Sequence, residues 1–154
     1  MDGRDWMMMS EHKLILLVED DPNDVELVLR VFRKSELANR TVVVRDGLEA
    51  LDYLRCSGPY ASRPAVLPQV VLLDLNLPVL DGLEVLRRIR ADDRTRRVPV
   101  VILTSSNEDS DKLTGYDLGA NSFVRKPVDF RQFSAAITGL GHYWTSFNEP
   151  PPAG

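Results

Sequence analysis

The stretch Leu14-Ile15-Leu16-Leu17-Val18-Glu19-Asp20-Asp21-Pro22 decides the fold class of this chain. Its five consecutive apolar residues predict a strand buried on both faces, as strands of parallel sheets are. Asp21 followed by Pro22 predicts the start of a helix, because aspartate caps helix N-termini and proline fits the first helical position. A buried strand that passes directly into a helix is typical of a βαβ unit.

The alternation of apolar run and helical segment continues along the chain. The predicted strands are 14–18, 41–44, 70–73, 98–103 and 122–124. Each is followed by apolar residues at helical spacing, most weakly at 107–118, where Leu113 and Tyr116 are the clearest apolar positions. Five such units predict an α/β fold, a flavodoxin-like, doubly wound (βα)5 parallel sheet with strand order 2-1-3-4-5.

Composition excludes several classes of protein. The chain has 154 residues, of which 44% are hydrophobic, too many for a disordered chain. No apolar run approaches the roughly 18 residues of a membrane span, and Cys56, the single cysteine, excludes a disulfide scaffold. The net charge of −4 gives no electrostatic footprint for nucleic acid. We therefore expect a cytoplasmic protein with neither a membrane nor a nucleic acid as partner.

One domain is predicted at 12–147, between an N-terminal extension at 1–11 and a proline-rich tail at 148–154. Residues 1–8 carry no strand or helix period, and Met9 directly precedes the first strand. We therefore expect translation to start at Met9.

Acidic residues follow two strands that are neighbours in the predicted order. Strand 1 leads into Glu19, Asp20 and Asp21, and strand 3 leads into Asp74. Like charges at this density need compensation, and a divalent cation with oxygen ligands, usually magnesium in phosphate chemistry, supplies it. Taken alone, Asp21 reads as an ordinary helix cap.

Hydroxyl and ammonium groups follow the next two strands. Strand 4 leads into Thr104 and Ser105, and Ser106 reads as a helix cap. Strand 5 leads into Lys126 and Pro127, where proline ends the strand and directs the lysine over the site. Carboxylates, a metal, a hydroxyl and an ammonium at one sheet edge predict a phosphoryl-transfer site.

Four motifs resemble the receiver domain of bacterial two-component response regulators. They are LLVEDDPND at 16–24, LLDLNLPVLDG at 72–82, VVILTSS at 100–106 and FVRKPVD at 123–129. The resemblance implies that Asp74 is the phosphoacceptor. It also implies a Mg²⁺ site formed by Asp74, Asp20, Glu19 through a water molecule, and the backbone carbonyl of Asn76.

The same resemblance assigns three further roles. Thr104 is the switch hydroxyl that moves to the phosphoryl group, and Lys126 pairs with a phosphoryl oxygen. Phe123 occupies the aromatic switch position, where many receivers have tyrosine, and it lacks the tyrosine hydroxyl. Asp81 is expected to cap the third helix.

Finer features are similar to the phytochrome-associated single-domain receivers. These features are the run from Leu75 to Leu86, the proline-rich excursion at 57–68, GANSFVRKPVDFRQF at 119–133 and GHYWTSF at 141–147. Such receivers are encoded with a light-sensing histidine kinase.

The expected function is therefore that of a single-domain response regulator, not of a conventional enzyme. It would accept a phosphoryl group from a sensor histidine kinase, a bacteriophytochrome, onto Asp74 with Mg²⁺, and assist its own phosphorylation and dephosphorylation. It would signal through the face formed by the fourth helix, fifth strand and fifth helix. The downstream target is not predicted.

Other functions stay open beside this one. The protein could be a phosphorelay intermediate or a phosphate sink. A haloacid-dehalogenase-like phosphohydrolase is disfavoured because Asn76 stands where those enzymes have a second aspartate. An unphosphorylated pseudo-receiver is disfavoured because Asp20, Asp74, Thr104 and Lys126 are all present.

Aromatic residues near the end of the chain suggest a homodimer. Phe133, Ile137, Leu140 and Trp144 form one helical stripe that the sheet should bury. Tyr143 and Phe147 lie off that stripe, and exposed aromatic residues often mark a contact surface. By resemblance to the phytochrome-associated receivers, the predicted interface contains Tyr116, Phe123, Tyr143 and Phe147.

Overall fold

The computed structural model describes residues 13–126 and 129–152. It contains a parallel sheet with strand order β2-β1-β3-β4-β5. The strands are β1 (Ile15–Val18), β2 (Thr41–Val44), β3 (Val70–Leu73), β4 (Val100–Thr104) and β5 (Ser122–Arg125). The predicted α/β class and strand order 2-1-3-4-5 are confirmed. The extension at 1–11, the expected start at Met9, the end of the tail and Pro127 lie outside the described residues.

Helices cover both faces of the sheet. They are α1 (Pro22–Lys34), α2 (Gly47–Arg55), α3 (Gly82–Ala91), α4 (Asp109–Asp117) and α5 (Phe130–His142), which continues as a wider turn over Tyr143–Phe147. Aspartate side chains cap four of them by accepting backbone N–H hydrogen bonds, namely Asp21, Asp46, Asp81 and Asp129. The caps predicted at Asp21 and Asp81 are therefore confirmed. Within the described residues, no helix is long and apolar enough to cross a membrane.

The cap of α4 differs from the prediction. Glu108, not Ser106, occupies the N-cap position, and it makes no capping bond with its side chain. The Ser106 hydroxyl instead accepts a hydrogen bond from the Glu108 N–H at 3.3 Å and donates one to Asp111 Oδ2 at 2.7 Å. Ser106 therefore connects the loop that leads into α4 with Asp111 in the first turn of that helix, although it is not the N-cap residue.

Successive strand residues point to opposite faces, so the sheet builds two cores. One core packs against α2 and α3 and includes Leu16, Val18, Val71, Leu73, Val100 and Ile102. The other packs against α1 and α5 and includes Ile15, Leu17, Val70, Leu72, Val101 and Leu103. Phe133, Ile137 and Trp144 of the predicted stripe are buried in the second core, and Leu140 packs at its margin.

Helix α4 contacts the sheet through a glycine rather than through its apolar side chains. Leu113 and Tyr116 are 65% and 49% exposed, whereas Gly115 is buried. A Cβ atom on Gly115 would lie 2.7 Å from Ile102 Cδ1 and 3.6 Å from the Phe123 ring. The helix therefore lies too close to the sheet for a side chain at that position, which turns its larger apolar residues outward.

Arg90, at the end of α3, joins three segments of the chain. Its Nε and Nη2 donate to the Gly119 carbonyl at 3.0 and 2.8 Å, and Nη2 also donates to Asn121 Oδ1 at 3.0 Å. Its Nη1 donates to the carbonyls of Arg96 and Val98 at 3.0 and 2.6 Å. All five N–H groups of the guanidinium are thus used, and they fix the turn before β5 and the turn before β4 to α3.

Replacing Arg90 should destabilise the fold. Arg90→Met keeps much of the apolar stem but removes five hydrogen bonds, so we expect the free energy of unfolding to fall by about 3 kcal/mol. The matched control Arg87→Met removes an exposed pairing with Glu84 and should change it by less than about 0.5 kcal/mol. Urea denaturation measures the free energy of unfolding of both variants and of the wild type. Equal, small effects would contradict the role given to Arg90.

Candidate functional site

Two buried carboxylates meet at the carboxyl ends of β1 and β3. Val18 and Leu73 are register partners, so Glu19 and Asp74 follow them at the same edge of the sheet. The backbone holds both positions, because the Asp74 N–H donates to the Val18 carbonyl at 3.1 Å and the Glu19 N–H to the Val44 carbonyl at 3.0 Å. Glu19 is 3% exposed and Asp74 is 7% exposed.

Lys126 brings a positive charge to these carboxylates from the other end of the sequence. Its backbone N–H donates to the Thr104 carbonyl at 2.7 Å, which continues the pairing of β4 with β5 by one residue. Its Nζ atom donates to Glu19 Oε1, to Asp24 Oδ2 at 2.9 Å and to Asp74 Oδ2 at 3.4 Å. The predicted convergence of Glu19, Asp74 and Lys126 is therefore present in the structure.

Asp24 is a member of this site that the sequence analysis missed. It lies in the first turn of α1, and its carboxylate is one of the three that share the Lys126 ammonium. The available signal was its place in the motif at 16–24, three residues after the cap Asp21. That spacing returns a side chain toward the helix N-terminus and hence toward the sheet edge.

The site carries more negative than positive charge. Three carboxylates share one ammonium, and the pKa of Glu19 is raised to about 7 by burial and by its interactions with Asp74, against the opposing effect of Lys126. Burial by itself lowers the pKa of Lys126, but its hydrogen bonds to Glu19 and Asp24 and its attraction to Asp74 raise the pKa overall. Lys126 is therefore charged, and Glu19 holds its proton more tightly than an ordinary glutamate does.

The residues predicted to bind a metal differ in their exposure. Asp20 and Asn76 are exposed at the rim, whereas Glu19 and Asp74 are buried. The Asn76 N–H donates to Asp74 Oδ1 at 3.3 Å, which orients the Asp74 carboxylate and keeps residue 76 beside it.

A divalent cation fits the site in charge and in donor type. Carboxylate and carbonyl oxygens are the ligands that Mg²⁺ prefers, and the three carboxylates around the single Lys126 ammonium leave negative charge that a cation would neutralise. Within residues 13–126 and 129–152, no three acidic, histidine or cysteine side chains are arranged as a ready-made metal site. The Lys126 ammonium lies among the carboxylates instead.

The two predicted switch residues lie on the neighbouring strands β4 and β5. Thr104 is fully buried at the end of β4, and its Oγ1 accepts a hydrogen bond from the Ser106 N–H at 3.3 Å. Phe123 pairs with Ile102 two residues before the end of β4, and it packs partly into the core that α2 and α3 cover. Tyr116, Tyr143 and Phe147 are exposed and make none of the hydrogen bonds described at the carboxylates.

The loop after β3 passes directly over the Asp74 backbone. A Cβ atom on Gly82 would lie 2.3 Å from the Asp74 carbonyl oxygen and 2.6 Å from Leu75 Cα. Since no side chain fits there, glycine is required for α3 to begin against Asp74.

Val79, within the same loop, has a strained backbone. Its φ is +70°, and the Leu80 N–H donates to the Pro78 carbonyl at 2.7 Å, which makes a three-residue turn centred on Val79. A β-branched residue is rarely found in this left-handed region, and such γ-turns are strained. Its side chain is 77% exposed, so packing does little to offset the strain.

Relieving this strain should stabilise the protein. We expect Val79→Gly to raise the free energy of unfolding by about 1 kcal/mol, because the relief of strain exceeds the added flexibility of glycine in the unfolded chain. The control Val79→Ala keeps a Cβ atom and should raise the free energy of unfolding by less than Val79→Gly does. Thermal unfolding of the wild type, Val79→Gly and Val79→Ala measures these differences in stability. A Val79→Gly protein no more stable than wild type would show that the turn is not strained.

Comparison with known proteins gives one consistent family. The model of the response regulator receiver domain matches residues 15–138. Response regulator Rcp1 of Synechocystis is 37% identical over 86% of this chain and 88% of its own. The probable methanogenesis regulatory protein FilR2 of Methanothrix harundinacea is 37% identical over 98% of this chain and 96% of its own.

Solved structures agree with the sequence matches. The phosphorylated cyanobacterial phytochrome response regulator RcpA has a TM-score of 0.84 and 40% identity, covering 92% of this chain and 99% of its own. The Mn²⁺-bound form of Rcp1 has a TM-score of 0.83 and 36% identity, covering 91% and 99%. The bacteriophytochrome response regulator AtBRR is 55% identical with a TM-score of 0.71, covering 89% and 98%. The resemblance that the motifs indicated is confirmed.

Proposed function

Because the chain belongs to the response regulator receiver domain family, we propose that it accepts a phosphoryl group on Asp74 from a sensor histidine kinase. The observation that carries this proposal is the arrangement of the Asp74 carboxylate, which is buried at the carboxyl end of β3. One of its oxygens accepts a hydrogen bond from the Asn76 N–H, and the other accepts one from Lys126 Nζ. A carboxylate held in this way is oriented as a nucleophile beside a fixed positive charge.

The proposed reaction is a transfer of the phosphoryl group from nitrogen to oxygen. An oxygen of the Asp74 carboxylate attacks the phosphorus of a phosphohistidine on the kinase. The new P–O bond forms as the P–N bond breaks, and the imidazole keeps the bonding electrons and takes up a proton. The product is an aspartyl phosphate, and we propose that the groups around Asp74 assist both its formation and its loss.

The neighbouring residues have separate parts in this proposal. The Lys126 ammonium moves from Glu19 and Asp24 to a phosphoryl oxygen, whose negative charge it partly neutralises. The Thr104 hydroxyl moves from the Ser106 N–H toward the same group, and Phe123 follows it. The groups that would hold Mg²⁺ are Asp20, Asp74, the Asn76 carbonyl and, through water, Glu19. A bound divalent cation supplies neutralisation of the phosphoryl charge.

The kinase partner is proposed to be a phytochrome. Two structural relatives, RcpA and AtBRR, are phytochrome response regulators, at 40% and 55% identity over most of this chain. We propose that the signal leaves through the face formed by α4, β5 and α5, because Phe123 of β5 pairs with Ile102 of β4, two residues before Thr104.

The phosphoacceptor assignment is tested by a single isosteric change. Asp74→Asn should abolish labelling by a phosphorylated histidine kinase, since the amide is not a nucleophile, and removal of divalent metal with EDTA should abolish labelling of the wild type. The control Asp81→Asn makes the same change at a helix cap of the same loop, where asparagine also caps, and should label normally. Undiminished labelling of Asp74→Asn, with its fold verified by circular dichroism, would contradict the assignment.

We also propose a homodimer formed through the α4, β5 and α5 face. Tyr116, Tyr143 and Phe147 are 49%, 50% and 77% exposed, so this part of the molecule presents aromatic surface that a partner could bury. Phe123 is half-buried and would contribute the part of its ring that faces outward.

The dimer is tested by sedimentation velocity. The Phe147→Ala variant should contain more monomer than the wild type at the same concentration, because the substitution removes the most exposed aromatic side chain of the proposed contact. Leu48→Ala is the control, since Leu48 is 50% exposed on α2, away from that face. A wild type that sediments as a monomer at high micromolar concentration, with and without phosphorylation, would rule the dimer out.

A further inference from the structure

The end of α3 and the turn after it form a basic region in an acidic protein. Residues 87–97 contain six arginines and two aspartates, a net charge of +4, whereas the whole chain has a net charge of −4. One of the six, Arg90, is used internally as described above. The others are exposed, except that Arg88 is half-buried. Together with the half-buried Arg55 at the end of α2 they form what we call the arginine surface: Arg55, Arg87, Arg88, Arg94, Arg96 and Arg97.

A cleft of about 540 Å³ lies in this surface. Arg55, Arg88, Ala91, Asp92, Asp93 and Arg94 line it. Arg55 Nε and Arg94 Nη2 lie 3.4 and 3.5 Å from the same oxygen, Asp92 Oδ2. Two guanidinium groups from different elements therefore already converge on one carboxylate in the cleft.

The same surface binds a second carboxylate on the protein itself. Glu84 accepts hydrogen bonds from both Arg87 and Arg88, and they lower its pKa to about 2. Each guanidinium has five donors in a planar fork that matches a carboxylate, so a pairing through one or two nitrogens leaves further donors on the outer side. The surface is thus chemically suited to carboxylates.

The cleft lies at the opposite end of the sheet from Asp74. Arg55 and Arg88 are near the C-terminal ends of their helices, and Arg96 and Arg97 precede the amino end of β4. In a βα unit the helix returns to the amino edge of the sheet, whereas Asp74 follows the carboxyl end of β3. The arginine surface therefore lies at the opposite edge of the sheet from the phosphoacceptor site.

We propose that the arginine surface docks an acidic segment of a partner protein, with two or more Asp or Glu side chains entering the cleft between Arg55, Arg88 and Arg94. Charge complementarity selects this occupant. The surface extends over only one helix end and one turn, and the rest of the chain has a strongly negative net charge. A long nucleic acid bound here would therefore also lie against negatively charged protein, which would repel its phosphates. Among the described residues, none of the exposed large apolar side chains belongs to this surface, so it lacks an anchor for a membrane.

The test uses a fluorescein-labelled octaglutamate peptide as the probe and fluorescence anisotropy as the readout. The triple variant Arg55→Gln, Arg88→Gln, Arg94→Gln should bind the probe at least about tenfold more weakly than wild type. The control variant Arg30→Gln, Arg33→Gln, Lys34→Gln removes the same charge from exposed positions on α1 and should change the affinity by less than about threefold. Thermal unfolding verifies that both variants fold.

Three outcomes would overturn the proposal. The first is equal loss of affinity in both triple variants, which would mean that the probe responds only to net charge. The second is tighter binding of a single-stranded DNA octamer than of octaglutamate, which would make the occupant a nucleic acid. The third is amide chemical-shift changes on octaglutamate addition that lie outside residues 84–97 and the end of α2. Changes confined to those residues support the proposal.

Discussion

The parallel pairing of β1 with β3 positions the groups on which the candidate site depends. Both strands are apolar throughout and fully buried, and helices cover them on both faces, so the hydrophobic effect holds the pairing. Since Val18 and Leu73 are partners at the ends of these strands, Glu19 and Asp74 must emerge side by side. The carboxylates repel each other, but the core beneath them is stable enough to hold them together.

The Lys126 ammonium reduces the repulsion between these carboxylates without neutralising all of their charge. One positive charge cannot balance Glu19, Asp24 and Asp74, and burial together with the neighbouring Asp74 raises the pKa of Glu19, the most buried of the three. Such a site has a standing affinity for added positive charge. This explains physically why the same residues suit a divalent cation, and why the proposed phosphorylation would depend on one: without it the added phosphate charge would meet carboxylates.

Close backbone approaches set the geometry around these charges. Gly82 lets α3 begin against the Asp74 carbonyl, and Gly115 lets α4 lie directly on Ile102. Arg90 ties the turns at the opposite edge to α3 through five hydrogen bonds. The edge of the sheet at Asp74 therefore combines a crowded loop, strained at Val79, with turns at the opposite edge that Arg90 fixes to α3.

The sequence by itself determined the features that depend on local spacing and on the chemistry at strand ends. The five βα units, the caps at Asp21 and Asp81, and the meeting of Glu19, Asp74 and Lys126 all follow from apolar periodicity and from the rules of parallel sheets. Only the tertiary structure decided that Asp24 joins that site, that Leu113 faces solvent, and that Arg90 turns inward. These features depend on how each helix is rotated and how closely it approaches the sheet. That rotation and distance result from packing between segments far apart in the chain, which local spacing does not encode.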